Sequence, residues 1–106
     1  MKNIVCDDYN IFLDIEFDAD SGCAMCKLNC NPNISITQAQ LSVFEFVGGE
    51  CNCVSECTNK SNQSPLFMTK DFQCESGVAY RAQFDAVLCI ESQPVPISIM
   101  YDALCA

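Results

Sequence analysis

The strongest constraint on the fold lies between residues 78 and 105. Val78, Tyr80, Ala82, Phe84, Ala86, Leu88 and Ile90 occupy alternate positions, with Arg81, Gln83 and Asp85 between them. Successive side chains of an extended strand point to opposite faces, so this pattern predicts a strand with one buried face. After Ser92-Gln93-Pro94 the alternation resumes at Val95, Ile97, Ile99, Tyr101, Ala103 and Cys105, which predicts an antiparallel hairpin. A turn centred near Ser92 and Gln93 sets Cys105 near Tyr80 and Cys89 opposite Pro96. That register excludes a Cys89–Cys105 bridge, and each of the two cysteines needs a partner elsewhere.

The same period recurs upstream. Tyr9, Ile11, Leu13, Ile15 and Phe17 share one face of a predicted strand, with Asn10, Asp14, Glu16 and Asp18 mainly on the other. Residues 34–47 are rich in strand formers, but the apolar parity changes near Gln38, from Ile34 and Ile36 to Ala39, Leu41 and Val43. A bulge or two short strands explains such a change. Gly48-Gly49-Glu50 then turns the chain, and further strands are expected over 51–58 and 66–72. Residues 58–65, Thr-Asn-Lys-Ser-Asn-Gln-Ser-Pro, read as a polar exposed loop. With no long helical pattern and about six or seven short strands, the expected fold is all-β, a small antiparallel β-sandwich or jelly roll. Residues 1–106 make one such domain, since 106 residues support a single apolar core.

Ten of the 106 residues are cysteine, a density that marks a disulfide scaffold in an oxidising compartment. A domain of this size buries a modest core, and cross-links that restrict the unfolded chain supplement it. Cys6, Cys23, Cys26, Cys30, Cys51, Cys53, Cys57, Cys74, Cys89 and Cys105 are all candidate disulfide residues. Their pairing is open, since about 945 complete patterns exist. Cys51, Cys53 and Cys57 have the parity of one strand face, whereas Cys23, Cys26 and Cys30 have spacings that suit a helical turn or folded loop after Ser21-Gly22. Cys6 and Cys105, near the two ends, are candidates for bridges between chains.

The N-terminal Met-Lys-Asn-Ile-Val-Cys turns acidic at once and lacks the pattern of a secretory signal. Either Met1 precedes a mature secreted segment, or it is native and the protein leaves the reducing cytoplasm without classical secretion. A bacterial spore-surface protein released by lysis of its mother cell follows the second route. The expected location is extracellular, or a cell or spore surface.

A net charge of −9 repels phosphate backbones and anionic lipid surfaces, so nucleic acid is not an expected partner. No apolar run approaches the ~20 residues of a membrane-spanning helix, and membrane insertion is not expected. Histidine is absent, and no Ser or Cys has an identifiable base beside it, which argues against an enzyme. No cofactor is expected. Cys23-x-x-Cys26 with Cys51 and Cys53 forms an alternative zinc set, opposed by the spacing of the second cluster and the lack of histidine. The same Cys-x-x-Cys as a redox dithiol lacks the β/α setting that such chemistry uses. Asp14, Glu16, Asp18 and Asp20 offer oxygen ligands to calcium, but alternating acids on a strand more often form its solvated face. Asn33, Asn59 and Asn62 head Asn-x-Ser sequons, which are glycan acceptors only in a eukaryotic secreted protein.

The expected role is therefore non-enzymatic: a structural subunit of an extracellular or spore-surface assembly, stabilised and cross-linked by disulfides. Its partners would be other protein chains, chiefly copies of itself in a homo-oligomer or polymer. A monomeric secreted effector, inhibitor or toxin-like module that binds another protein is the alternative, and a cysteine-ligated zinc domain is the second.

Overall fold

The computed structural model describes residues 2–6, 8–18, 22–59 and 64–105. Nearly all of the described chain is β. Eight strands form two antiparallel four-stranded sheets: β1 (Lys2–Cys6), β2 (Ile11–Asp18), β3 (Cys23–Asn29) and β6 (Leu66–Asp71) in one, β4 (Ser35–Val47), β5 (Glu50–Asn59), β7 (Ala79–Ile90) and β8 (Gln93–Leu104) in the other. Their orders are β1-β2-β3-β6 and β5-β4-β7-β8. Two strands were not anticipated. β1 is too short to show a period, and β3 occupies the first cysteine cluster, where a turn was expected.

The long hairpin forms with its turn one residue earlier than expected. Ile90 pairs with Gln93, so the loop is Glu91-Ser92, and both residues have positive φ, 52° and 64°. Two consecutive left-handed residues match the right-handed twist of the flanking strands. In the resulting register Cys89 lies opposite Pro94, and the amide of Cys105 donates to the carbonyl of Val78. Gly48 and Gly49, with φ of 61° and 81°, make the equivalent turn between β4 and β5.

The parity change near Gln38 is a bulge. The β4–β7 register shifts between Ile36 and Gln38, so Ile36 and Ala39 both face the core, opposite Leu88 and Ala86. The Thr37 hydroxyl donates to the Val87 carbonyl at the irregularity. A second bulge inserts Val54 into β5 between Cys53 and Ser55, which pair with Phe44 and Val43.

The two sheets enclose one apolar core. Ile11, Leu13, Ile15, Ala24, Cys26 and Leu28 line one inner face, and Leu41, Val43, Tyr80, Phe84, Leu88 and Ile99 line the other. At one end Tyr80 packs against Phe17 and Phe72, with ring centroids 6.2 and 5.2 Å away. Its hydroxyl donates to the Gln73 carbonyl (3.3 Å) and accepts from the Glu75 amide (2.9 Å). A buried tyrosine thus satisfies its polar end by gripping the segment that carries Cys74. Gly22 enters β3 at φ 66°, and a Cβ there would collide with the Phe72 carbonyl, so only glycine fits this close approach.

Candidate functional site

Cys74 and Cys105 form the one disulfide among the described residues, with Cα atoms 6.2 Å apart. It ties the segment after β6 to the end of β8, and so joins the chain of one sheet to the last strand of the other. The remaining eight cysteines are thiols. Cys105 is 5% exposed and bonded within the chain, which removes it from the pair expected to bridge subunits; Cys6 stays exposed.

The cysteine clusters do not have the faces that spacing implied. In β3, a strand and not a turn, Cys26 points into the core with Ala24 and Leu28, and Cys23 takes the outer face. In β5 the Val54 bulge reverses parity, so Cys57 pairs with Leu41 and packs on the core, while Cys51 and Cys53 lie outside, opposite Phe46 and Phe44. The alternative zinc residues Cys23, Cys26, Cys51 and Cys53 are therefore split between one inner and two outer faces. Among the described residues no three His, Cys, Asp or Glu side chains are grouped to hold a metal ion. Asp14 and Glu16 lie on the outer face of β2, with Asp14 paired to Lys27; Asp20 is outside the described residues. Asn33 is exposed in a turn, Asn59 ends β5, and Asn62 is outside the described residues.

The outer face of the second sheet carries an ion pair. Arg81 Nε donates to Asp102 Oδ1 at 2.7 Å and Nη2 to Oδ2 at 3.1 Å, with the guanidinium 5.2 Å from the Phe46 ring centroid. Hydrogen bonding and charge from Asp102 raise the Arg81 pKa further.

The thiols differ in environment. Burial, followed by the charge of Cys57, pushes Cys26 up to about 12. Burial also raises Cys30, against a hydrogen bond from Ser64 that lowers it, and raises Cys23, where Asp71 adds to the effect. Because the folded-state pKa of Cys26 lies above its ordinary 9.0, the native reduced protein holds this proton more tightly than the unfolded chain does. The associated stability is complete below 9.0 and is lost as pH rises toward about 12. Urea midpoints of the reduced protein at ~pH 8 and ~pH 10.5 are expected to fall more for wild type than for Cys26→Ala. Equal falls would show that Cys26 is not buried.

The two sides of the sandwich are closed differently. On the β5/β6 side, Ser55 Oγ donates to the Asp71 carbonyl (3.1 Å) and Cys57 Sγ to the Thr69 carbonyl (3.7 Å), so side chains of one edge strand cover carbonyls of the other. On the β1/β8 side the sheets part around an open apolar groove of about 590 Å³. Ile4, Cys6, Ile11 and Leu13 line it from the first sheet, and Ile90, Val95 and Ile97 from the second, with Asp8 and Glu91 at the rim. Ile4 pairs with Leu13 and Cys6 with Ile11, so both point inward, yet Ile4 remains 39% exposed and Cys6 is exposed. Their inner face has nothing full-sized to rest on.

The strands that flank the groove differ in what they offer an added strand. β8 carries Pro94 and Pro96, which lack N–H groups and are tolerated on the free side of an edge strand, where they block further pairing. β1 has no proline, acid or bulge. β5 is interrupted by its bulge. The guards of β1 are its five-residue length and Lys2; of the two strands that flank the groove it is the one without proline. Sequence reasoning missed it, because Lys-Asn-Ile-Val-Cys places two apolar residues side by side and shows no period. No protein-family model, curated protein or solved structure matches the chain.

Proposed function

We propose that the protein is a non-enzymatic structural subunit of an extracellular or spore-surface assembly, a disulfide-stapled β-sandwich whose copies join through β1. The single observation that supports this reading is the open β1/β8 groove beside a strand edge that has neither proline nor bulge. Two β1 strands running antiparallel would extend the first sheet from one copy into the next, and would cover Ile4 and the groove mouth. β1 itself, Lys-Asn-Ile-Val-Cys, bears no acidic residue, and the acids beside this contact are Asp8 and Glu91 at the groove. Cys6 stands at the groove as an exposed thiol able to form a bridge between subunits once an oxidant is present.

Size measurement by light scattering across a concentration series tests the reading. Wild type is expected to associate, and Ile4→Lys, which puts charge into the groove, to weaken association about tenfold or more, as burial of one isoleucine implies. Cys6→Ser is expected to remove covalent multimers from non-reducing electrophoresis without abolishing the non-covalent ones. A wild type that stays monomeric at every concentration overturns self-assembly and leaves the same groove to a foreign chain, the secreted-binder alternative.

A further inference from the structure

Two hairpin turns place consecutive residues other than glycine at positive φ: Glu91-Ser92 between β7 and β8, and Tyr9-Asn10, at 63° and 53°, between β1 and β2. A side chain resists this left-handed conformation, which persists only where the surroundings hold it. At Glu91-Ser92 the hold is firm. The flanking strands have twelve residues each, and Tyr80, Phe84, Leu88 and Ile99 anchor them in the core. At Tyr9-Asn10 one flank is β1, five residues long, with Ile4 39% and Val5 62% exposed and Cys6 exposed as well. Residues 8–10 are themselves exposed. The Asn31 amide ties the turn to the chain just past β3, donating to the Tyr9 carbonyl at 2.9 Å. Water can replace a hydrogen bond at an exposed turn, but it does nothing for a left-handed φ.

From this imbalance we infer that β1 is an exchangeable strand: in self-assembly it leaves its own β2 and pairs with β2 of a second copy, while the turn opens and Tyr9 and Asn10 relax toward extended backbone. The inference rests on the reading that copies join through β1, and it states how they join. The β1 contacts survive, since the pairs from Lys2–Ile15 to Cys6–Ile11, with Ile4 beside Leu13, are remade between copies. What changes is the turn, and a strained hinge favours exchange for that reason. Five steps of chain separate Cys6 from Ile11, so the opened connector reaches about 17 Å, enough for two copies that abut at this end to trade strands. Reciprocal trade closes a dimer in which two turns have opened. Contact between two β1 edges, by contrast, leaves both turns as they are.

That difference is the test. Tyr9→Ala and Tyr9→Gly both remove the ring, which lines the groove, and differ only in the Cβ that the left-handed turn resists. Light scattering of the full chain over a concentration series is expected to show Tyr9→Gly dimerising at least about tenfold more weakly than Tyr9→Ala, because the relief counts once for each of two turns. Asn10→Val, which sets a branched side chain at φ 53°, is expected to dimerise more tightly than wild type. Tyr9→Gly eases the closed turn and so keeps the fold. Equal dimerisation of Tyr9→Ala and Tyr9→Gly, with wild type still associating, overturns exchange and leaves edge-to-edge assembly standing. Monomers at every concentration for wild type, Tyr9→Ala and Asn10→Val overturn both.

Discussion

Replacing Phe84 by alanine is expected to cost about 3–5 kcal/mol of stability, the range for emptying a buried aromatic site. Phe84 is fully buried, stands opposite Leu41 on one neighbouring strand and Ile99 on the other, and faces the first sheet across the core. Backbone pairing on both sides fixes the position of its Cα, so the neighbours cannot collapse into the space left behind. At roughly 4–8 °C per kcal/mol for a domain near this size, the melting temperature should fall by about 12 °C or more. Phe84→Leu, which keeps most of the volume, should cost much less. Paired urea and thermal unfolding of the two variants provides the check. A loss below ~1 kcal/mol for Phe84→Ala would mean that the two sheets do not meet over this residue.

The double variant Cys74→Ala, Cys105→Ala is expected to lose about 3–4 kcal/mol, the chain-entropy value for a bridge spanning 31 residues. The enclosed chain runs from the segment gripped by Tyr80 through the whole of β7 and β8. Without the bridge, the end of β8 is held by its ladder with β7, which runs to the Ala79–Leu104 pair, and by the Cys105–Val78 and Gly77–Cys105 backbone hydrogen bonds. Wild type under reducing conditions should resemble the double variant, and the variant itself should not respond to reductant at this site. Denaturation with and without reductant measures both. If oxidised wild type and the double variant had equal midpoints, the bridge would contribute nothing and the hydrogen bonds would suffice.

The ease with which the sequence yields each part of the fold follows from the range over which its cause acts. Side-chain alternation from Val78 to Cys105 reports a local property, the two-residue repeat of an extended chain, and it located β7 and the turn to within one residue and β8 to within two. The parity change near Gln38 was visible for the same reason, since the bulge moves Ile36 and Ala39 to one face. The bulge at Val54 left no such mark, because the residues around it are Cys, Asn, Ser and Glu and give no apolar phase to interrupt. Its effect on Cys57 was therefore invisible. Cys23–Asn29 misled in the opposite way: cysteine spacings suggested a turn, while Ala24, Cys26 and Leu28 already carried the period of a strand.

By itself, then, the sequence determined an all-β chain and a long C-terminal hairpin that keeps Cys89 and Cys105 apart. These follow from local periodicity and composition. Tertiary structure alone decided that Cys105 meets Cys74, that Cys26 and Cys57 face the core from opposite sheets, and that the sandwich gapes beside β1. Each of these depends on which distant strands become neighbours. That choice is made by the packing of the two sheets against each other, and no spacing along the chain encodes it.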